Sequence, residues 1–202
     1  MTRTTLIAIF AVMTASTAQA QAVTNTQESH STIGAQLNAD LSDVQDQVSL
    51  TAAAIGNSVT IERGTAGAIT NTQKIYGNVS AELNSTVENA GMDVQATTAA
   101  IANTASFKAD TLGAVTNTQN ANYDPSAVLS ATLINVDGQV TATAAAISNT
   151  ASFEAATLGA VTSTQFNGAA VSATADMTIQ NVGGSVTATA AAIGNTLSVK
   201  GL

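Results

Sequence analysis

Val23-Thr24-Asn25-Thr26-Gln27 returns as Ile69-Thr70-Asn71-Thr72-Gln73, as Val115-Thr116-Asn117-Thr118-Gln119 and as Val161-Thr162-Ser163-Thr164-Gln165. The interval is 46 residues each time, with no insertion or deletion. A second marker keeps the same step: Ile55-Gly56-Asn57, Ile101-Ala102-Asn103, Ile147-Ser148-Asn149 and Ile193-Gly194-Asn195. Strict spacing is the mark of a stack, because each unit must land on the one before it. The chain therefore reads as a single repeat domain over 21–202, with repeats 23–68, 69–114, 115–160 and 161–202.

Each repeat contains two similar halves. An aliphatic residue, two variable positions and then Thr open a half-unit at Val23, Val48, Ile69, Val94, Val115, Val140, Val161 and Val186, at alternating steps of 25 and 21. This pattern predicts two rungs per repeat and eight in all. At about 4.8 Å per rung the rod would be roughly 38 Å long.

Alternation identifies the rungs as strands. Val171, Ala173, Ala175, Met177 and Ile179 alternate with Ser172, Thr174, Asp176 and Thr178, a period of two rich in β-formers. Leu37, Leu41, Val44, Val48, Thr51 and Ile55 alone would suit a coiled-coil helix. The same columns of the fourth repeat hold Gly183-Gly184 and many Thr, which are poor helix formers. The expected fold is all-β, a β-solenoid. Gly-Asn, Asp137-Gly138 and Gly183-Gly184 read as its turns, and Pro125 as a loop residue.

Composition narrows the function. Arg3, the apolar run from Leu6 to Met13, and Ala18-Gln19-Ala20 form a secretory signal over 1–20. The run is too short to span a bilayer, which takes about 20 apolar residues. The chain holds 5 basic and 13 acidic residues, a balance that disfavours nucleic acid. With 0 cysteines there is no disulfide framework and no thiolate metal site. The signal implies a secreted protein that crosses the periplasm of a Gram-negative bacterium to the cell surface.

The columns carry the candidate structural and binding residues. Ile55, Ile101, Ile147 and Ile193 are expected to point inward, as are Val48, Val94, Val140 and Val186. Asn57, Asn103, Asn149 and Asn195 are expected at turns, where Asn accepts left-handed geometry, and their amides can bond along the axis. If Val23 points inward, so do Asn25 and Gln27. The outward residues are then Thr24, Thr26, Thr70, Thr72, Thr116, Thr118, Thr162 and Thr164, a candidate face for ice or glycan. On the alternate half-units Ser49 and Gln95 break that Thr pattern.

Ala54-Ile55-Gly56-Asn57-Ser58-Val59-Thr60 and its copies, with the Thr-x-Thr-Gln strands, resemble the curlin type of bacterial fibre subunit. They are also similar to alphaproteobacterial surface proteins that anchor an adhesive holdfast and are exported by curli-like machinery. The resemblance implies an extracellular structural or adhesive protein of surface attachment and biofilm, a fibre subunit or an anchor. It implies an outer-membrane export or anchoring partner and leaves polysaccharide as a ligand class. Alternate half-units depart from the curlin pattern, with Ala52, Thr98, Ala144 and Ala190 where the others hold Gln27, Gln73, Gln119 and Gln165.

No catalytic constellation stands out, and no cofactor is expected. The single histidine, His30, falls in a variable loop, and a general base needs a positioned partner. Asp40, Asp43 and Asp46 are the nearest acidic group, short of the six or more converging oxygens that calcium takes. The repeats show no capping segment, and Glu62, Lys108, Glu154 and Lys200 alternate in sign. Both features predict head-to-tail self-association through open edges.

Overall fold

The computed structural model describes residues 22–201. The expected signal peptide lies outside the described residues. All regular structure among them is β, in three four-stranded parallel sheets. A short sheet contains β1 (Val23–Ser29), β4 (Ile69–Ile75), β7 (Val115–Ala121) and β10 (Val161–Asn167). A middle sheet contains β2 (Ile33–Val44), β5 (Val79–Ala90), β8 (Pro125–Val136) and β11 (Ser172–Val182). A long sheet contains β3 (Val48–Ala66), β6 (Val94–Leu112), β9 (Val140–Leu158) and β12 (Val186–Gly201). The chain passes once through each sheet per repeat, which makes a parallel β-solenoid.

The expected rung count is corrected. Val23 pairs with Ile69, Ile33 with Val79 and Val48 with Val94, so every sheet repeats at 46 residues. One repeat is one rung, and the four rungs span roughly 19 Å instead of 38 Å. The two half-units of a repeat lie in different sheets, β1 and β3. Like-on-like side-chain stacking explains the choice. At a step of 46 Gln27 sits on Gln73, whereas a half-repeat step would set it on Ala52.

Two cores fill the rungs. One lies between the middle sheet and the first part of the long sheet, with Val48, Ala54, Leu83, Val94, Leu129 and Val140. The other joins the second part of the long sheet to the short sheet, with Val59, Ile69, Phe107, Val115 and Phe153. Both rely on small residues, with stacked columns of Ala. In the second core Phe107 stacks on Phe153, at 5.3 Å between ring centroids.

The inside–outside alternation of the long strands slips between the two cores. In β6 both Ala102 and Asn103 are buried, as are Ser148 and Asn149 in β9. The slip reverses the expectation for the isoleucines: Ile55, Ile101 and Ile147 are only half-buried and Ile193 is 38% exposed. Inward places beside them go to Ala54, Ala100 and Ala146. The Val48, Val94 and Val140 column is buried, and Val186 in the last rung is open.

Gly56-Asn57 is likewise strand and not a turn. The left-handed residues are Asp43 (φ 55°), Asn89 (54°), Asn135 (54°) and Asn181 (57°), at the ends of β2, β5, β8 and β11. Asp and Asn tolerate this region because their short polar side chains bond locally. Asp137-Gly138 and Gly183-Gly184 do occupy turns. Pro125 opens β8 instead of lying in a loop; the equivalent Ile33 N–H donates to the Asn78 carbonyl, so proline forgoes one bond at the first residue of the strand, where that loss is tolerated.

Candidate functional site

The inner polar residues form ladders at the junction of the two cores. Asn57 Nδ2 donates to Asn103 Oδ1 at 2.8 Å, Asn103 to Asn149 at 2.7 Å, and Asn149 to Asn195 at 2.7 Å. Each amide also donates to the next short strand: Asn57 to the Lys74 carbonyl, Asn103 to Asn120 and Asn149 to Phe166. The Gln ladder runs the other way, with Gln73 Nε2 donating to Gln27 Oε1, Gln119 to Gln73 and Gln165 to Gln119. Its amides reach across to the long sheet, from Gln27 to the Ser58 carbonyl, Gln73 to Thr104 and Gln119 to Thr150, each at 2.9 Å. A third ladder links Asn25, Asn71 and Asn117 and ends on Ser163 Oγ.

These amides stitch the short sheet to the long sheet within a rung and between rungs. Asn71, Gln73, Asn103, Asn117, Gln119 and Asn149 are fully buried. Burying an amide is costly unless it is bonded, and a ladder supplies a partner above and below. The same bonds fix register, since a slip would set amides against aliphatic side chains.

The Thr-x-Thr pairs share one surface. Thr24 and Thr26 stack on Thr70 and Thr72, these on Thr116 and Thr118, and these on Thr162 and Thr164. The array of eight is unbroken, because Ser49 and Gln95 belong to the long sheet. A groove of about 430 Å³ opens on the outer face of the middle sheet, with Asn38, Asp40, Asn84, Thr86, Thr132 and Asp176 on its walls.

The ionisable groups are superficial. Lys74 Nζ contacts Glu28 Oε1 at 2.8 Å in adjacent rungs. That hydrogen bond and the accompanying charge attraction hold the Glu28 carboxyl below its ordinary range and raise the Lys74 ammonium. His30 stacks on Tyr76, its counterpart one rung on, at 4.7 Å and lies 3.8 Å from Glu28. Glu62, Lys108, Glu154 and Lys200 stand in adjacent rungs, with Lys108 and Lys200 at 3.7 Å and 3.9 Å from Glu154. Among the described residues no group of three or more His, Asp or Glu could hold a metal ion.

Buried ladders that tie the rungs of a solenoid together are scaffold chemistry, and the comparison with known families agrees. HfaD, holdfast attachment protein D, matches residues 42–202. The chain belongs to the holdfast attachment protein D family. Its role is therefore one of surface attachment, with the cell-surface location that such a role carries. That family is structural and adhesive in character, and its match supports the holdfast side of the resemblance. No curated protein and no solved structure matches the chain.

The ladders through Asn25 and Gln27 were legible from strand alternation. The position of the Asn57 column was not, because alternation cannot show where a strand slips phase. The left-handed column was missed although Asp43, Asn89, Asn135 and Asn181 are visible at a step of 46.

Proposed function

We propose that this holdfast attachment protein works without catalysis, as a fibre-forming subunit whose copies stack head to tail. The ends of the ladders carry this reading. Among the described residues Asn57 Oδ1 and Gln165 Oε1 accept no bond, one in each terminal rung. A second copy beyond rung four would bring its Asn57 carbonyl to the Asn195 amide and its Gln27 amide to the Gln165 carbonyl. Both ladders would continue in their own directions. The core columns of rung four are also open: Val186, Leu197 and Val199 are 43%, 50% and 51% exposed, whereas Val140, Ala151 and Phe153 beneath them are buried. Lys200 would meet the next Glu62 one rung away, at about 4.8 Å. Fibre formation serves attachment by making a long, multiply bonded tether.

Light scattering over a wide concentration range, with electron microscopy of the same samples, tests the proposal. Growing mass and filaments are expected, and Leu197→Lys should suppress both. A strict monomer at all concentrations would overturn it and favour an anchor held by an export or outer-membrane partner.

A second reading is polysaccharide binding, favoured by the unbroken Thr array and the polar groove. Their hydroxyl and amide groups repeat at the rung spacing and suit a polyhydroxylated chain. Glycan is preferred to ice because the array borders the charged Glu28 and Lys74. Affinity electrophoresis through gels containing cell-surface polysaccharide tests this. Slowed migration abolished by Thr72→Val/Thr118→Val would assign the array, and loss with Thr86→Val/Thr132→Val would assign the groove. Unaltered migration of the parent chain would dismiss both.

A further inference from the structure

The outer face of the long sheet differs from that of the middle sheet in two respects. After a first column that varies (Ser49, Gln95, Thr141, Thr187), three outer columns are identical in all four rungs: Thr51, Thr97, Thr143, Thr189; Ala53, Ala99, Ala145, Ala191; and Ile55, Ile101, Ile147, Ile193. The outer columns of the middle sheet drift freely, as in Gln36, Glu82, Val128 and Thr174. Burial does not demand this uniformity, because these Ala and Ile residues are only partly covered.

Charge is the second difference. From Ser49 to Thr60, and at the equivalent outward positions of β6, β9 and β12, there is no ionisable side chain. The middle sheet instead presents Asp40, Glu82, Glu88 and Asp176 outward. On a chain of net charge −8, the long sheet is the face on which two copies can meet without like charges at the centre.

We propose that two copies pair face to face through these outer columns, with their rod axes antiparallel. This pairing is separate from head-to-tail stacking. Columns of identical side chains on parallel strands can interdigitate, as in dry sheet-to-sheet contacts, and a two-fold pair uses the same patch twice. About 12 residues at ~3.3 Å by four rungs at ~4.8 Å give roughly 750 Å² per copy. Stable pairs bury about 800 Å² per partner.

The axis direction follows from the next column. A two-fold axis along the strands sets each column over itself in reverse rung order. Glu62 would then face Lys200 of the other copy, and Lys108 would face its Glu154, so all facing charges are opposite. With the two-fold axis along the solenoid instead, the axes would be parallel but the columns would run in opposite order, so the Glu62 column would lie away from its copy and these charge pairs would be lost.

The test uses substitutions in the middle rungs, away from the ends. Leu197→Lys, which blocks stacking, should leave a dimer in sedimentation equilibrium. Adding Ala99→Lys/Ala145→Lys should weaken that dimer at least about tenfold while the strand signal in circular dichroism stays intact. A monomer in Leu197→Lys alone, or a dimer that survives the lysine pair, overturns the proposal. A thiol readout needs no disruptive change, because the chain has 0 cysteines. Maleimide labelling of Ala145→Cys should slow as protein concentration rises, while Thr132→Cys on the middle sheet should not. Equal rates at all concentrations would also overturn it. Failure of these tests leaves filament growth, read by microscopy on the unaltered chain, a separate question.

Discussion

Asn103 Nδ2 donates to Asn149 Oδ1 at 2.7 Å although 46 residues separate them. Both side chains are fully buried, so the bond reports the repeat period from inside the protein. Asn103→Ala removes the partner of Asn57 below and Asn149 above, and vacates the Asn120 carbonyl. A loss of about 2–3 kcal/mol is expected from stranded buried polar groups. Asn195→Ala, at the open end, should cost less. Equal denaturant midpoints for Asn103→Ala and the parent would refute the ladder's contribution.

Ile147 and Ala146 offer a test of side-chain direction. Ala146 is fully buried and Ile147 is not. Ala146→Asp should cost at least about 4 kcal/mol or prevent folding, because it buries an unpaired charge. Ile147→Asp should cost about 1 kcal/mol, mainly in strand propensity. Thermal melts of the two variants decide. The opposite ranking would restore the inward isoleucine column.

Ser148→Ala should stabilise the protein. Its hydroxyl is buried without a partner, and rung two holds Ala102 in the same column. Removing an unpaired hydroxyl should gain about 1 kcal/mol, read as a higher denaturant midpoint. A fall of similar size would mean that the hydroxyl has an internal partner.

Phe153→Ala removes a fully buried ring stacked on Phe107. The expected loss is about 3–5 kcal/mol. Val199, one rung on in the same column, is 51% exposed, so Val199→Ala should change the monomer's stability by no more than about 0.5 kcal/mol. Fluorescence is a poor probe without Trp, so circular dichroism in denaturant supplies the measurement.

The Glu28–Lys74 pair sets a small pH dependence. The folded carboxyl lies below its ordinary value of 4.5 because Lys74 bonds to it. Its contribution is therefore present above that value and is lost as pH falls through the folded one. The raised Lys74 value works in the opposite sense at high pH: its contribution fades as pH rises through the folded value. Both groups are exposed, so the effect is slight and screened by salt. The melting difference between the parent and Glu28→Gln should shrink towards zero from about pH 7 to about pH 2. A difference that persists at low pH would assign it to packing.

The sequence by itself determined the repeat length, the all-β class and the inward place of Asn25, Gln27 and Val48 with their copies. An uninterrupted step of 46 admits a stack, and alternation in a strand assigns faces without reference to any neighbour. Tertiary structure decided how many times the chain goes round per repeat. The half-units Val23–Thr26 and Val48–Thr51 look alike, but their strands have 7 and 19 residues and lie in different sheets. It also decided the direction of Ile55 and its copies. The long strand serves two cores in succession and slips phase between them at Ala102-Asn103 and Ser148-Asn149. A local pattern cannot register that slip, because its cause is the short sheet's arrival at the same strand, where the Gln27 amide bonds to the Ser58 carbonyl from 31 residues away.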